Sequence, residues 1–287
     1  MRPRLIIRLF SVIAGCVLLT GAFASGDAAA KPRRIVSLNV CTDQILMMLV
    51  APERILSVTY VATDPRASSL HEEAKRYYNN FGAAEEVLPL EPDLVLAGQY
   101  TTRAAVTLLK RLKYNVVELP VAYTLDGIRR NVRIIARAVS EEARGEQIIR
   151  EFDAAVGQAT SPAERANAPV AALYWANSYS SGLGTLADTV IQHAGFRSLS
   201  DSLGLKGAGY VPLESLLSSR PDLLVVGMMR PSEALAQQIF HHPALRQAFA
   251  DHPRVTVPDR YWTCGTPFTA RAITQLRALR EEMEGRQ

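Results

Sequence analysis

Few residues in this 287-residue chain are spaced for making or breaking bonds. His71-Glu72-Glu73 starts like a zinc-hydrolase helix, but Lys75 stands where the second histidine is needed. The chain has no Gly-x-Ser-x-Gly elbow and no phosphate-binding loop. Gly182-x-Gly184 lacks the third glycine of a dinucleotide fingerprint and reads as a turn capped by Thr185. His193, His241, His242 and His252 fall on or beside helices, and His241-His242 reads as a helix-end pair. A bare transition-metal site wants several histidines and carboxylates converging, so a metal would arrive already chelated. With no nucleophile–base pair and no redox centre, the chain reads as a binder without a catalytic residue, a resident metal or a cofactor of its own.

The side chains that are placed for binding are aromatic. Tyr60, Tyr100, Tyr123, Trp175, Tyr179, Tyr261 and Trp262 all lie at or just past the end of an expected strand. Such rings grip a flat apolar ligand, with a few polar groups setting its orientation. They also serve as core residues under loops, and composition does not separate the two uses. The formal net charge of +4 is not gathered into a Lys/Arg block dense enough for nucleic acid.

The elements that must position these residues alternate. Arg34–Leu38, Ile55–Tyr60, Leu94–Gly98 and Val116–Leu119 read as buried strands of a first lobe, with helices between them. Val170–Ala176, Leu223–Gly227 and Val255–Val257 read likewise for a second lobe, closed by a helix over Thr269–Met283. Alternation implies parallel sheets, whose ligands sit beyond the carboxyl ends of the strands. That rule nominates the turn Asn39-Val40-Cys41-Thr42, the segment from Tyr60 to Asp64, Gln99-Tyr100 and Val121–Tyr123.

The two lobes repeat one another. Glu85 to Gly98 and Glu214 to Gly227 carry Glu, Pro-Asp-Leu and Gly in one register without a gap. Each copy reads as a short helix, a turn and a strand. Between them, Ser140 to about Ala166 predicts a long helix capped by Ser140, with Ile148, Phe152, Ala155, Val156 and Ala159 on one face and Glu146 paired to Arg150. Gly157 is its weak point. The organisation expected is a leader over 1–30, an N-terminal α/β lobe over 31–123, a connecting helical segment over 124–167 and a C-terminal α/β lobe over 168–287.

The leader expectation rests on Arg2, Arg4 and Arg8 before an apolar run, and on Ala22-Phe23-Ala24 as a cleavage signal. Ile13-Ala14-Gly15-Cys16 also resembles a lipoprotein box, but the apolar run continues past the cysteine, and soluble export is the reading adopted. After cleavage, Cys41 and Cys264 remain in an oxidising compartment, where they pair or stay as two isolated buried thiols.

An exported chain of two similar lobes, with a long helix between them and a Glu in each repeat, resembles the iron-chelate and cobalamin periplasmic-binding proteins of ATP-driven importers. The likeness runs from Arg33 to about Leu279; Arg34-Ile35-Val36-Ser37-Leu38, the two repeats, the helix around Ser140–Ala166 and Gly184-Thr185-Leu186-Ala187-Asp188 carry it. The resemblance implies an α/β fold of two Rossmann-like lobes joined by a single long backbone helix, with the ligand cleft between them. It implies a periplasmic monomer that captures a metal chelate, cobalamin or a ferric siderophore, and hands it to an inner-membrane ABC permease dimer. A haem-binding relative, or an exported sensor or enzyme on the same fold, is the alternative. Glu85 and Glu214 would dock the two permease subunits, with Glu86 the rival of Glu85. Asn39, Cys41, Thr42, Tyr60, Tyr100, Trp175, Tyr179, Arg230, Tyr261 and Trp262 would face the ligand. A Cys41–Cys264 disulfide would then lock the lobes, which is unexpected in a protein that must release its cargo. Aromatic lining with few charges favours a corrinoid or a neutral chelate.

Overall fold

The computed structural model describes residues 31–157, 167–227, 235–250 and 252–285. The first lobe is a five-stranded sheet of β1 (Ile35–Ser37), β2 (Ile55–Thr59), β3 (Tyr78–Asn80), β4 (Leu94–Gly98) and β5 (Val116–Leu119). Its order is β3-β2-β1-β4-β5, and every pairing is parallel. The central strands are apolar on both faces because helices cover both, and Leu94 to Gly98 is buried throughout. The helices are α1 (Val40–Leu49), α2 (His71–Ala74), α3 (Ala84–Val87) and α4 (Arg103–Arg111).

Two helices follow, α5 (Leu125–Ala138) and α6 (Glu142–Val156), and then the second lobe. Its strands are β6 (Val170–Tyr174), β7 (Tyr179–Ser181), β8 (Arg197–Ser198), β9 (Ala208–Tyr210), β10 (Leu223–Val226) and β11 (Arg254–Thr256). The main sheet is parallel in the order β11-β10-β6-β8, and β7 and β9 form an antiparallel ribbon. The helices are α7 (Leu186–His193), α8 (Leu199–Ser202), α9 (Leu213–Ser219), α10 (Pro243–Ala248) and α11 (Thr269–Glu284). By position, β8-β6-β10-β11 is the first lobe's β2-β1-β4-β5 over again.

The repeat has a mechanical meaning. Glu91 and Arg220 hold the same register and are both left-handed, at φ 42° and 45°, so each closes its helical turn before the proline. Asp93 then accepts from the Arg33 and Arg34 N–H groups at 2.7 and 3.0 Å, and Asp222 accepts from Val170 N–H at 2.7 Å. Each Pro-Asp therefore clips its own strand to the start of the neighbouring one, β1 or β6.

The connector is a hairpin. Ser140 lies in the left-handed region at φ 56° and cannot cap; the helix instead begins at Glu142, with Glu141 before it. Glu146 bonds to Arg133 across the hairpin rather than to Arg150, and Arg129 reaches Asp153, so α5 and α6 run antiparallel. The buried face is Gly145, Ile148, Ile149, Phe152 and Val156, while Ala155 is exposed. Gly157 ends the helix by donating to Asp153 O, and Ala159 lies outside the described residues.

Both helices serve both lobes. Leu125, Ile128, Phe152 and Val156 pack in the second lobe's core, and Val132, Ile135, Ile148 and Ile149 in the first's. The hairpin turn is pinned to the first lobe by buried Arg54, which donates to Pro32 O, Val139 O and Glu141. Its other end is pinned to the second lobe by Arg277, which donates to Val156 O at 2.7 Å.

Candidate functional site

The carboxyl ends of the two sheets face each other, and the turns that leave them meet. Cys41, after β1, is disulfide-bonded to Cys264, after β11, with their Cα atoms 5.1 Å apart. Thr189 donates to Tyr123 O at 3.1 Å, and Arg260 to Pro65 O at 2.8 Å. A covalent bridge and two hydrogen bonds thus span the cleft.

Each half of the cleft is opened by the glycine that ends a repeat. A Cβ on Gly98 would stand 2.8 Å from the Asn39 side chain, and one on Gly227 would stand 3.0 Å from the Trp175 ring. The matched glycines let the residue after the neighbouring strand lie flat against the sheet end.

Asn39 caps α1, its Oδ1 accepting from Cys41 N–H at 3.0 Å. Thr42 is fully buried; its hydroxyl donates to Asn39 O and pairs with Ser37 Oγ. A hollow of about 100 Å³ lies here, lined by Asn39, Cys41, Gly98, Tyr100, Asn131, Thr263 and Gly265 among others. Asn131, on α5, donates to Pro120 O at 2.9 Å and leaves its buried Oδ1 without a protein partner.

A second hollow of about 280 Å³ adjoins the first through Val121, Ala122 and Thr263. Trp175 and Trp262 form one wall, edge to face with centroids 5.3 Å apart, and Trp175 Nε1 donates to Ser181 Oγ. Tyr123 and Leu186 stand among the other lining residues, and Asp259 brings a carboxylate. Larger hollows, of about 340 Å³ between α9 and α10 and about 410 Å³ behind α5, involve no strand-end aromatic residue.

The structure thus brings Asn39, Cys41, Thr42, Tyr100, Trp175 and Trp262 to the two hollows. Tyr60 and Tyr179 line neither; they are exposed, Tyr60 stacking on Phe81 and Tyr179 meeting Tyr210 edge to face. Tyr261 lines neither as well. It packs beside the second core, under Arg260 and Arg271, and their hydrogen bonds and charge outweigh burial and hold its phenol below the ordinary value. Arg230 lies outside the described residues. Asn131 and Ser181 were not singled out from the sequence. Asn131 sits inside a helix and so escapes a rule about strand ends; Ser181 belongs to a ribbon too short to show a period.

Below the Asn39 turn, Asp43 is fully buried. Burial pushes its carboxyl up to about 7, against hydrogen bonds from Ser37 and Thr59. At the mouth, hydrogen bonding to Tyr100 raises the Tyr123 phenol. Glu85 and Glu214 are exposed at the starts of α3 and α9. Glu86 is occupied: it accepts from the Phe81 and Ala83 N–H groups at 2.9 and 3.1 Å. Among the described residues no group of three His, Cys, Asp or Glu is placed to hold a metal, and no helix is long and apolar enough to cross a membrane.

The family model for the periplasmic binding protein matches residues 35–258. This chain belongs to the periplasmic binding protein family. The match covers both sheets of this binding protein and the hairpin between them. A cobalamin-binding protein of Halobacterium salinarum is 24% identical over 204 residues, 69% of this chain; the match spans 55% of that relative's length. Among solved structures, a periplasmic heme-binding protein from Roseiflexus aligns with a TM-score of 0.71 and 21% identity, over 87% of this chain and 98% of that one. The periplasmic vitamin B12-binding protein of Vibrio cholerae aligns with a TM-score of 0.62 and 16% identity, over 88% and 98%. These likenesses establish the α/β fold that this binding protein shares with them.

Proposed function

We propose that this binding protein captures a metal chelate, a corrinoid or a ferric siderophore, between its lobes and delivers it to an ABC permease. The observation that carries this is the Trp175–Trp262 wall between two parallel sheet ends, on a fold shared with B12- and heme-binding proteins. The hollows of about 100 and 280 Å³ fall below the ~300–1,000 Å³ of ordinary ligand pockets. The cargo therefore enters edge first and rests its remainder on the rings at the mouth, Tyr100 and Tyr123, which are 77% and 48% exposed.

In this reading the leader exports the chain to the periplasm as a monomer, and no bond of the cargo is made or broken. Glu85 and Glu214 dock it. They occupy the same place in each repeat, both are exposed, and neither forms an ion pair with a described residue. Two separate carboxylates can read the spacing of two basic pockets, and charge pairing steers the encounter. The test is uptake set against binding in Glu85→Ala/Glu214→Ala. Uptake of the chelate should collapse while its affinity for the isolated protein holds. Undiminished uptake would remove the docking role.

A further inference from the structure

The smaller hollow holds two side-chain amides whose orientations are fixed by backbone groups of opposite kind. Asn131 Nδ2 donates to Pro120 O at 2.9 Å, so its oxygen must face away from that carbonyl. Asn39 Oδ1 accepts from Cys41 N–H at 3.0 Å, so its nitrogen must face away from the end of α1. Neither amide can be turned over without losing its backbone partner. One acceptor and one donor are left. Asn131 is 4% exposed and its Oδ1 has no partner, while Asn39 Nδ2 donates to no described residue. We infer that this pair is a specificity subsite for a primary carboxamide on the edge of the cargo, whose C=O accepts from Asn39 Nδ2 and whose N–H donates to Asn131 Oδ1.

The inference rests on capture of a chelate between the lobes and goes past it by choosing among chelates. Three observations support it. A buried acceptor without a partner is costly and rare in a folded protein, and this one belongs to the wall of a hollow in the cleft. At about 100 Å³ the hollow takes a side group of a ligand and not its body, since whole-ligand pockets start at about 300 Å³. Tyr100 and Thr263, which line it, are exposed, so a side group can enter between them. Finally, none of the described residues that line it is charged. A carboxylate placed there would be buried without a counter-charge and would meet the lone pairs of Asn131. A corrin ring is fringed with acetamide and propionamide groups. Haem presents carboxylates instead, and the amides of peptide-like siderophores lie within the chain, where a hollow of this size cannot take them. The subsite therefore selects the corrinoid.

Tryptophan quenching of the isolated protein by cobalamin, and by a cobalt corrin carrying methyl esters in place of its carboxamides, tests this. The ester keeps the C=O and stays neutral but has no N–H to donate. Cobalamin should quench to saturation, and the ester should bind about tenfold or more weakly. Asn131→Leu, which lacks the acceptor, should bring the two affinities within about twofold of each other. Asn39→Asp keeps the oxygen that caps α1 and turns a carboxylate toward the cargo C=O. Its thermal midpoint should hold while its affinity for both corrins falls about tenfold or more, and it decides the matter if Asn131→Leu does not fold. Equal affinity for amide and ester in the wild-type protein, an ester penalty that survives in Asn131→Leu, or full cobalamin affinity in Asn39→Asp each overturns the subsite and leaves capture standing. Saturable quenching by haem or a ferric siderophore, with none by cobalamin, does the same. If no chelate quenches, the capture reading falls, and the subsite with it.

Discussion

Asp43 is the residue whose chemistry is easiest to measure. Its folded carboxyl titrates at about 7, above the unfolded value of 3.8, so the native state holds its proton more tightly. Its contribution to stability is full below about pH 4 and is lost as pH rises through about 7. Asp43→Asn should flatten the stability–pH profile over that window in denaturant titrations; an unchanged slope would contradict the assignment. Glu85 and Glu86 separate in the same way. Glu86→Ala should cost about 0.5–2 kcal/mol by thermal unfolding because two backbone N–H groups lose their acceptor. Glu85→Ala should stay within about 0.5 kcal/mol. From the sequence the two are neighbours of one type, and only the turn at Phe81 distinguishes them. Trp175, Trp262 and Asn39 were legible because they follow strands, whereas Phe81 follows, and Tyr210 ends, a strand too short to read.

Among the elements, the repeat was the most legible, because Pro-Asp-Leu serves the same clip in both lobes and so kept its residue types. β3, β8 and β9 were not legible: Tyr-Asn-Asn, Arg-Ser and Ala-Gly-Tyr carry neither length nor β-branched residues, and their neighbours in the sheet make them strands. The connector is a pair and not one strut because α5 too buries a regular face, Leu125, Ile128, Val132 and Ile135, and like α6 divides it between the two cores. The hairpin is fastened at both ends, so Arg54→Ala should cost about 2–3 kcal/mol and Arg277→Ala about 1 kcal/mol in chemical denaturation. Losses near zero at both positions would show that the fastening is incidental.

On the scale of the whole molecule, the Cys41–Cys264 bridge joins turns that belong to different sheets, 223 residues apart in sequence. The even cysteine count allowed the pairing, but release of cargo argued against a lock. The hairpin resolves the conflict: with both cores sharing α5 and α6, the lobes are already held, and exchange of cargo needs only a small rocking motion about the bridge. Cys41→Ser/Cys264→Ser should lose about 2–4 kcal/mol. It should also gain hydrogen exchange at the Asn39–Thr42 turn and not at the α5–α6 seam; equal gains at both places would contradict a stiff connector.

The central claim is that cargo is held between the lobes against the two tryptophans, and intrinsic-fluorescence titration reaches it most directly. With cobalamin, haem and a panel of ferric siderophores, one ligand class should quench Trp175 and Trp262 to saturation, and Trp175→Phe should weaken its binding. If every ligand leaves the emission unchanged, or if quenching saturates with equal affinity in Trp175→Phe, the cleft is not where this protein holds its cargo.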